Sequence, residues 1–278
     1  MIRPRELSLG LTLFPARTPT LLPATHTNSY ALGKTDVVLV EPATPYEDEQ
    51  RAWLTWARSL TSQGRRPIAI LLTHHHVDHV GGTDVLSREL SLPLWAHADT
   101  FARLDPSFVR GRELHDGDAL VLGDDRWDVM VTPGHAPGHV CLLNASSGAL
   151  VVGDMVASVG TILIATSDDG DMGVYLEQLE RLDRAKSRLA LPSHGDPIDD
   201  PSATFRRYIK HRGMREQKVL SAIQQKPGGT LSELVSLAYD DTPVHVWPIA
   251  TISLEAHLAK LIKEGRARVD GDRYSTNK

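Results

Sequence analysis

Apolar positions along the chain follow two periods. Val37-Val38-Leu39-Val40 is an unbroken apolar run and predicts a strand buried on both faces, ending at Glu41-Pro42. Between Glu47 and Leu60, Trp53, Leu54, Ala57 and Leu60 recur at helical spacing and predict an amphipathic helix. A turn at Gly64 to Pro67 leads into Ile68-Ala69-Ile70-Leu71-Leu72, a second buried strand that runs straight into Thr73-His74. Gly81, Gly82 and Thr83 open another helix, with Thr83 as its predicted N-cap. Further strands are predicted at Leu94–Ala96, Leu120–Leu122, Trp127–Val131, Val140–Leu143 and Leu150–Val152, separated by Gly and Asp turns. Tyr175, Leu179, Leu182 and Leu189 mark a helix, and Leu189-Ala190-Leu191 leads to Pro192-Ser193-His194.

The pattern changes after Asp199-Asp200-Pro201. Residues 202–224 predict a long helix with Phe205, Tyr208, Ile209, Val219, Leu220 and Ile223 inward, broken at Pro227-Gly228-Gly229. Thr230 and Glu233 form a capping box for a short helix at Leu231 to Ala238. Pro248 to Glu264 is a third helix, followed by Gly265 and an Asp-Gly hairpin at Asp270-Gly271. Helix, helix, helix, hairpin is the order of a winged-helix module, so two domains are expected: a mixed α/β body at 1–203 and a small winged-helix domain at 204–278. The charge divides at the same place. Residues 205–278 carry 13 Lys and Arg against 8 Asp and Glu, whereas the preceding 204 residues carry 17 against 27. An acidic body with a basic tail suits two parts with different tasks, the tail either tracking phosphates or anchoring its long helix on the body through Arg206, Arg207, Lys210, Arg212 and Arg215.

Composition excludes several classes. With 41% hydrophobic and 23% charged residues over 278 positions, the chain is not a disordered one. Its single cysteine, Cys141, excludes an internal disulfide framework and a thiolate zinc cluster, and its apolar surroundings predict a small buried side chain. No apolar run approaches the roughly 18 residues of a membrane span, and Met1 to Thr27, broken by Pro4, Pro15, Pro19 and Pro23, makes a poor signal peptide. The expected compartment is the cytoplasm, with no membrane partner.

Thirteen histidines stand out, six of them in two clusters at 74–79 and 135–139. His74, His76, Asp78 and His79 place four potential ligands in six positions directly after a buried strand, where α/β sheets carry their sites. Imidazole with carboxylate suits zinc, manganese or iron better than calcium or magnesium. His135, Asp154 and His194 each lie just beyond another apolar run, so all seven groups can converge on one sheet edge. Seven exceed the needs of one zinc with an open position and fit two divalent ions sharing a carboxylate, about 3.5–4 Å apart.

His74-x-His76-x-Asp78-His79, Thr132-Pro133-Gly134-His135, Gly153-Asp154 and Ser193-His194-Gly195 resemble the metallo-β-lactamase superfamily over roughly residues 25–200. The resemblance implies an αββα sandwich with the site at one rim. Carried over by position, His74, His76 and His135 hold one metal, Asp78, His79 and His194 hold the second, and Asp154 bridges them. It further implies hydrolysis by a metal-bound hydroxide, oriented or relieved of its proton by Asp78. His75 is then structural, His139 a scaffold residue, His115 part of a turn and Tyr175 a core residue. His26 and Asn28 lie ahead of the first strand predicted above.

The tail motifs His211-Arg212-x-x-Arg215-Glu216, Trp247 and His257-Leu258-x-Lys260-Leu261 resemble the winged helix of the β-lactamase-like protein 2 family. That resemblance implies a phosphodiesterase, specifically a single-strand endoribonuclease with single-stranded RNA as its partner. The stretch Thr132-Pro133-Gly134-His135-x-x-Gly138-His139 also resembles glyoxalase II and related thioesterases, which keeps a small ester or thioester as the alternative substrate. The non-enzyme alternative is a winged-helix regulator with a metal-sensing body. Assembly as a homodimer is compatible with either.

Overall fold

A computed structural model describes residues 3–277. The chain divides into two compact units, residues 1–132, 137–161 and 186–201 in the first and 133–136, 162–185 and 202–278 in the second.

The first unit is built on two sheets. Strands β1 (Arg5–Ser8), β2 (Leu11–Arg17), β3 (His26–Leu32) and β4 (Asp36–Val40) form an antiparallel series; after helix α1 (Glu47–Ser62) the strand β5 (Arg66–Leu71) joins β4 in parallel. Short helices α2 (Val77–Val80) and α3 (Thr83–Leu90) precede the parallel strand β6 (Leu94–Ala96), and α4 (Ala98–Phe101) precedes β7 (Arg110–Glu113) at the sheet edge. The second sheet runs in the order β12 (Leu189–Pro192), β11 (Ala149–Gly153), β10 (Val140–Asn144), β9 (Asp125–Val131) and β8 (Ala119–Leu122).

The period-2 alternation decides which layer each residue joins. Val38, Val40, Ala69 and Leu71 point between the sheets, against Leu120, Trp127, Val129, Leu142 and Val151. Their neighbours Val37, Leu39, Ile70 and Leu72 point the other way, into Trp53, Trp56, Ala57 and Leu60 of α1 and Leu86 of α3. The central parallel strands are thus apolar throughout because both faces are covered. At about 25 cal/mol per Å² of apolar surface, each such fully buried branched side chain contributes roughly 1.5–3 kcal/mol. Cys141 is fully buried, as its apolar run predicts.

The second unit holds α5 (Met172–Arg184), α6 (Pro201–Gln225, from Ser202 onward), α7 (Leu231–Ala238), α8 (Trp247–Lys263) and the hairpin β13 (Ala267–Asp270) and β14 (Arg273–Thr276). Val219, Ala222 and Ile223 of α6 pack with Leu234 and Val235 of α7 and Leu254, Leu258 and Leu261 of α8 in one apolar cluster. The backbone N–H of Thr230 donates to the Glu233 carboxylate at 3.0 Å, which completes the capping box. Two arginines of α6 are engaged within the second unit itself. Arg206 pairs with Asp183 of α5 at 3.3 Å, and Arg215 donates to the Ala238 carbonyl at 2.6 Å and to Asp241 at 3.0 Å.

Several sequence expectations need correction. The segment before Val37 is not a preamble: His26 and Asn28 belong to β3, and Pro15 sits inside β2 opposite Asn28. Leu189 opens β12 rather than extending α5. Gly82, not Thr83, is the N-cap of α3, and Thr83 is its first residue. Asn28 is tied up in structure, its amide donating to the carbonyls of Pro192 at 2.8 Å and Gly195 at 2.7 Å. Among the described residues, no helix is long and apolar enough to cross a membrane.

Candidate metal centre

The register of the parallel pairs gathers the chemistry at one edge of the first unit. Val40 pairs with Leu71, so Glu41 and Thr73 leave β4 and β5 side by side. Gly153 pairs with Pro192, so Asp154 and His194 leave β11 and β12 side by side. The Thr73 carbonyl accepts from the Val140 N–H at 2.9 Å, which ties the two sheets together at this edge.

Each imidazole is aimed by its outer nitrogen. His79 is fully buried, and its Nδ1 donates to Glu41 Oε2 at 2.7 Å. The Nδ1–H of His194 donates to the His26 carbonyl at 3.0 Å. A carbonyl only accepts, so His194 carries its proton on Nδ1 and presents the lone pair of Nε2 inward. His74 Nδ1 lies 2.9 Å from the Thr73 hydroxyl, and its Nε2 lies 3.0 Å from His76 Nδ1. Asp78 sits in the first turn of α2, directly ahead of His79.

The inward atoms form a ring. His79 Nε2 stands 3.6 Å from Asp78 Oδ1 and 3.6 Å from Asp154 Oδ2, and His194 Nε2 stands 3.5 Å from Asp78 Oδ2 and 3.4 Å from Asp154 Oδ1. These separations are too long for good hydrogen bonds. They match two ligands on one tetrahedral zinc, which bonds of 2.0–2.1 Å place about 3.3 Å apart. His79 Nε2 is buried with no hydrogen-bond partner, an arrangement that is costly unless something else fills the gap. Among the described residues, His74, His79 and Asp154 offer ligand atoms within 4.8 Å of one another, as do Asp78, His79 and His194. The donor set therefore fits divalent ions of the zinc type.

Charge is consistent with that fit. Burial opposes protonation of His79, but Asp78, Glu41 and Asp154 outweigh it and raise the imidazole well above its ordinary value. Burial likewise opposes protonation of His194, and Asp154 overcomes it to raise that group. Burial resists ionisation of Asp154, yet His194 and His79 hold its carboxyl well below the usual range. In the absence of a cation the carboxylates favour protons on these histidines, and a metal ion would bind by displacing them.

His139 is a scaffold residue. Its Nδ1 lies 2.8 Å from the Thr132 hydroxyl, and its Nε2 accepts from the Asp154 backbone N–H at 3.1 Å. Gly153 leaves room for that ring, since a Cβ there would lie 2.4 Å from His139 Nε2. His115 is exposed beside Glu113 and Asp118, in keeping with a turn. Six of the seven candidate ligands thus lie in the first unit, at one edge. His135 belongs to the second unit, where its Nδ1 donates to the Leu163 carbonyl at 2.9 Å. Tyr175 is fully buried in the second unit, as a core residue is expected to be. Sequence reasoning missed Glu41. It obeys the rule that found Asp154, a polar residue just past an apolar run, but a lone Glu-Pro reads as a turn.

Comparison with known proteins agrees with this geometry. Residues 22–194 match the family model described as the metallo-beta-lactamase superfamily, and residues 230–275 match the beta-lactamase associated winged helix domain. The chain is 29% identical over 263 residues to the beta-lactamase-like protein 2 homolog of Drosophila melanogaster, covering 90% of this chain and 87% of that one. It is 28% identical to the lactamase-like protein adaB of Aspergillus niger, over 78% of this chain and 71% of that one. A metallo-beta-lactamase family protein from Thermus thermophilus superposes with a TM-score of 0.79 at 24% identity, covering 98% of this chain and all of that one. A beta-lactamase domain protein from Burkholderia ambifaria gives 0.83 at 22% identity, over 99% of this chain and 93% of that one.

Proposed function

Because this chain belongs to the metallo-beta-lactamase superfamily of metal-dependent hydrolases and carries the winged-helix domain associated with it, we propose that it is a binuclear phosphodiesterase that cuts single-stranded RNA internally. The observation that carries the substrate class is on α6. Arg207 and Lys210 are exposed on that helix, three residues apart and so along one stripe, with Arg206, which also pairs with Asp183, beside them. A basic stripe attracts a polyanion through its backbone phosphates, and a small neutral ester gains nothing from it.

Carried over from the family's pattern, Asp78, His79 and His194 would hold one ion and His74, His76 and His135 would serve the other, with Asp154 shared. Divalent ions held there, zinc or else manganese or iron, would supply a nucleophilic water at neutral pH and polarise the scissile group. The protein's own contribution is orientation. Glu41 and the His26 carbonyl lock the rings of His79 and His194, and the His139 ring fixes the backbone at Asp154. Asp78 is the less buried of the two aspartates, 15% exposed against 10%, and would orient the nucleophile or take up its proton.

Structure disfavours the regulator alternative. In a duplex-reading winged helix the third helix enters the major groove. Here α8 buries Ala250, Ser253, Leu254, Ala256, His257, Leu258 and Leu261 and has no Lys or Arg before Lys260. The direct test is cleavage of an end-labelled single-stranded RNA by the zinc-loaded protein beside Asp154→Ala purified identically. Cutting by the wild type alone is expected. Cutting by neither, with turnover of a thioester or ester, overturns the substrate class in favour of a small-molecule hydrolase.

A further inference from the structure

His135 is held from both sides within the second unit, and one side chain of α6 touches both supports. On one side, its Nδ1–H donates to the Leu163 carbonyl, which leaves Nε2 as the ligand-grade nitrogen. The adjoining carbonyl, that of Ile162, accepts from the Arg212 guanidinium. On the other side, Gly134 packs against the start of α5. Its carbonyl accepts from the Asp171 N–H at 2.9 Å, and with φ at +120° a Cβ there would lie 2.3 Å from the Tyr175 nitrogen. The same Arg212 guanidinium lies 5.8 Å from the centroid of the Tyr175 ring. A further Arg212 N–H reaches the Ser253 hydroxyl of α8 at 3.4 Å.

Arg212 is only 4% exposed. Burying a guanidinium is costly, and a Met or Leu would fill the same space without that cost. The planar fork is what apolar residues lack: it can engage a carbonyl, a hydroxyl and an aromatic face at once, in fixed directions. Its targets are the two segments that flank His135. Arg212 also falls between the two stretches matched by the family models, in residues 195–229.

We propose that Arg212 is a positioning residue for His135. Through the Ile162 carbonyl and the Tyr175 ring, it sets where the imidazole presents Nε2 to a metal ion. The long helix of the C-terminal domain thereby orients a candidate ligand carried by its own unit. This inference rests on the reading of His135 as a ligand of one of two metals.

The experiment is a competition between the full-length protein and a chromophoric chelator for zinc ions, resolving two binding steps. It is run on wild type, Arg212→Met, Arg212→Lys and His135→Ala, with thermal unfolding of each metal-free protein alongside. Arg212→Met is expected to weaken one step about tenfold, the lower end of what partners behind a ligand contribute, and to leave the other step unchanged. Arg212→Lys, which keeps a donor but loses the fork, recovers part of that loss. Unchanged affinities in Arg212→Met, or equal weakening of both steps, overturn the proposal. Loss of a step in His135→Ala with none in Arg212→Met refutes the positioning role alone. Two intact steps in His135→Ala refute the ligand reading beneath it. If Arg212→Met does not fold, Ser253→Ala decides by the same measurement: selective weakening of one step supports the role, and no change overturns it.

Discussion

Glu41 grips His79 from behind: its Oε2 accepts from the imidazole Nδ1 at 2.7 Å while its Oε1 accepts from the Thr73 backbone N–H at 2.9 Å. One fully buried carboxylate thus joins the end of β4, the end of β5 and a candidate ligand. Its backbone φ of 62° is in the left-handed region that most side chains avoid, so the fold accepts strain to put it there. Glu41→Ala is expected to lower zinc affinity by about 10- to 100-fold. It also leaves the Thr73 N–H without that acceptor and costs about 1–3 kcal/mol of stability. Zinc titration and denaturant unfolding of the same variant measure the two effects, and full metal affinity would remove Glu41 from the site.

Asp154 faces His79 and His194 at 3.6 and 3.4 Å. Asp154→Ala is expected to abolish turnover and lose bound metal while far-UV circular dichroism stays close to wild type, because the change deletes a rim carboxylate and leaves the apolar core intact. Undiminished turnover would exclude the two-metal scheme.

Gly153 has φ +51° and lies against His139. Gly153→Ala forces a Cβ into that ring and a left-handed backbone on alanine, the latter alone costing about 1–2 kcal/mol. Lower thermal stability together with reduced activity is expected. A variant as stable and active as wild type would show that His139 does not need its present place.

Reversing charge on α6 separates substrate holding from chemistry. Arg207→Glu with Lys210→Glu is expected to raise KM for RNA at least several-fold at low salt, to flatten the salt dependence, and to leave kcat nearly unchanged. Equal kinetics for the double variant and wild type would move the RNA-tracking surface elsewhere.

Acid sensitivity has a source in the second unit. Burial of His257, with Arg212, Lys260, Arg215 and His211 nearby, pushes its imidazole down to about 3. Both ring nitrogens are buried without hydrogen-bond partners. In the unfolded chain the same group takes a proton near pH ~6.5. Between these values the unfolded state binds more protons, so this contribution to stability is full above about 6.5 and falls as the pH drops toward 3, by up to about 1.4 kcal/mol per unit. Metal-free His257→Leu should therefore lose less stability than wild type as the pH falls from about 6.5 to about 5. Parallel curves would show that the group is solvated in the folded state.

The parts of this architecture that were legible in the sequence are those with strong local signals. Val37–Val40 and Ile68–Leu72 announce strands because both faces are covered, and the histidine motif after Leu72 is visible because four ligand types crowd six positions. Strand β7, Arg-Gly-Arg-Glu, carries no apolar signal because it lies at an edge and is largely exposed. Strand β2 was obscured by Pro15, whose register opposite Asn28 continues the ladder on both sides. That α5 keeps company with α6 and α8 depends on pairs such as Asp171 with Lys263, 92 residues apart, for which no local pattern exists.

Asp78 and His79 follow a strand of one sheet, and Asp154 and His194 follow strands of the other. An ion shared among them is a rivet through the sandwich as well as a reagent. Any ion that binds the folded chain and not the unfolded one adds to stability by mass action, about 2.7 kcal/mol at a hundred times its dissociation constant. Catalytic competence and heat resistance are then set by the same four side chains. A mutation that loosens the ligand cage would shorten the life of the whole layered core, and a cell that withholds the metal would be left with a softer protein as well as an idle one.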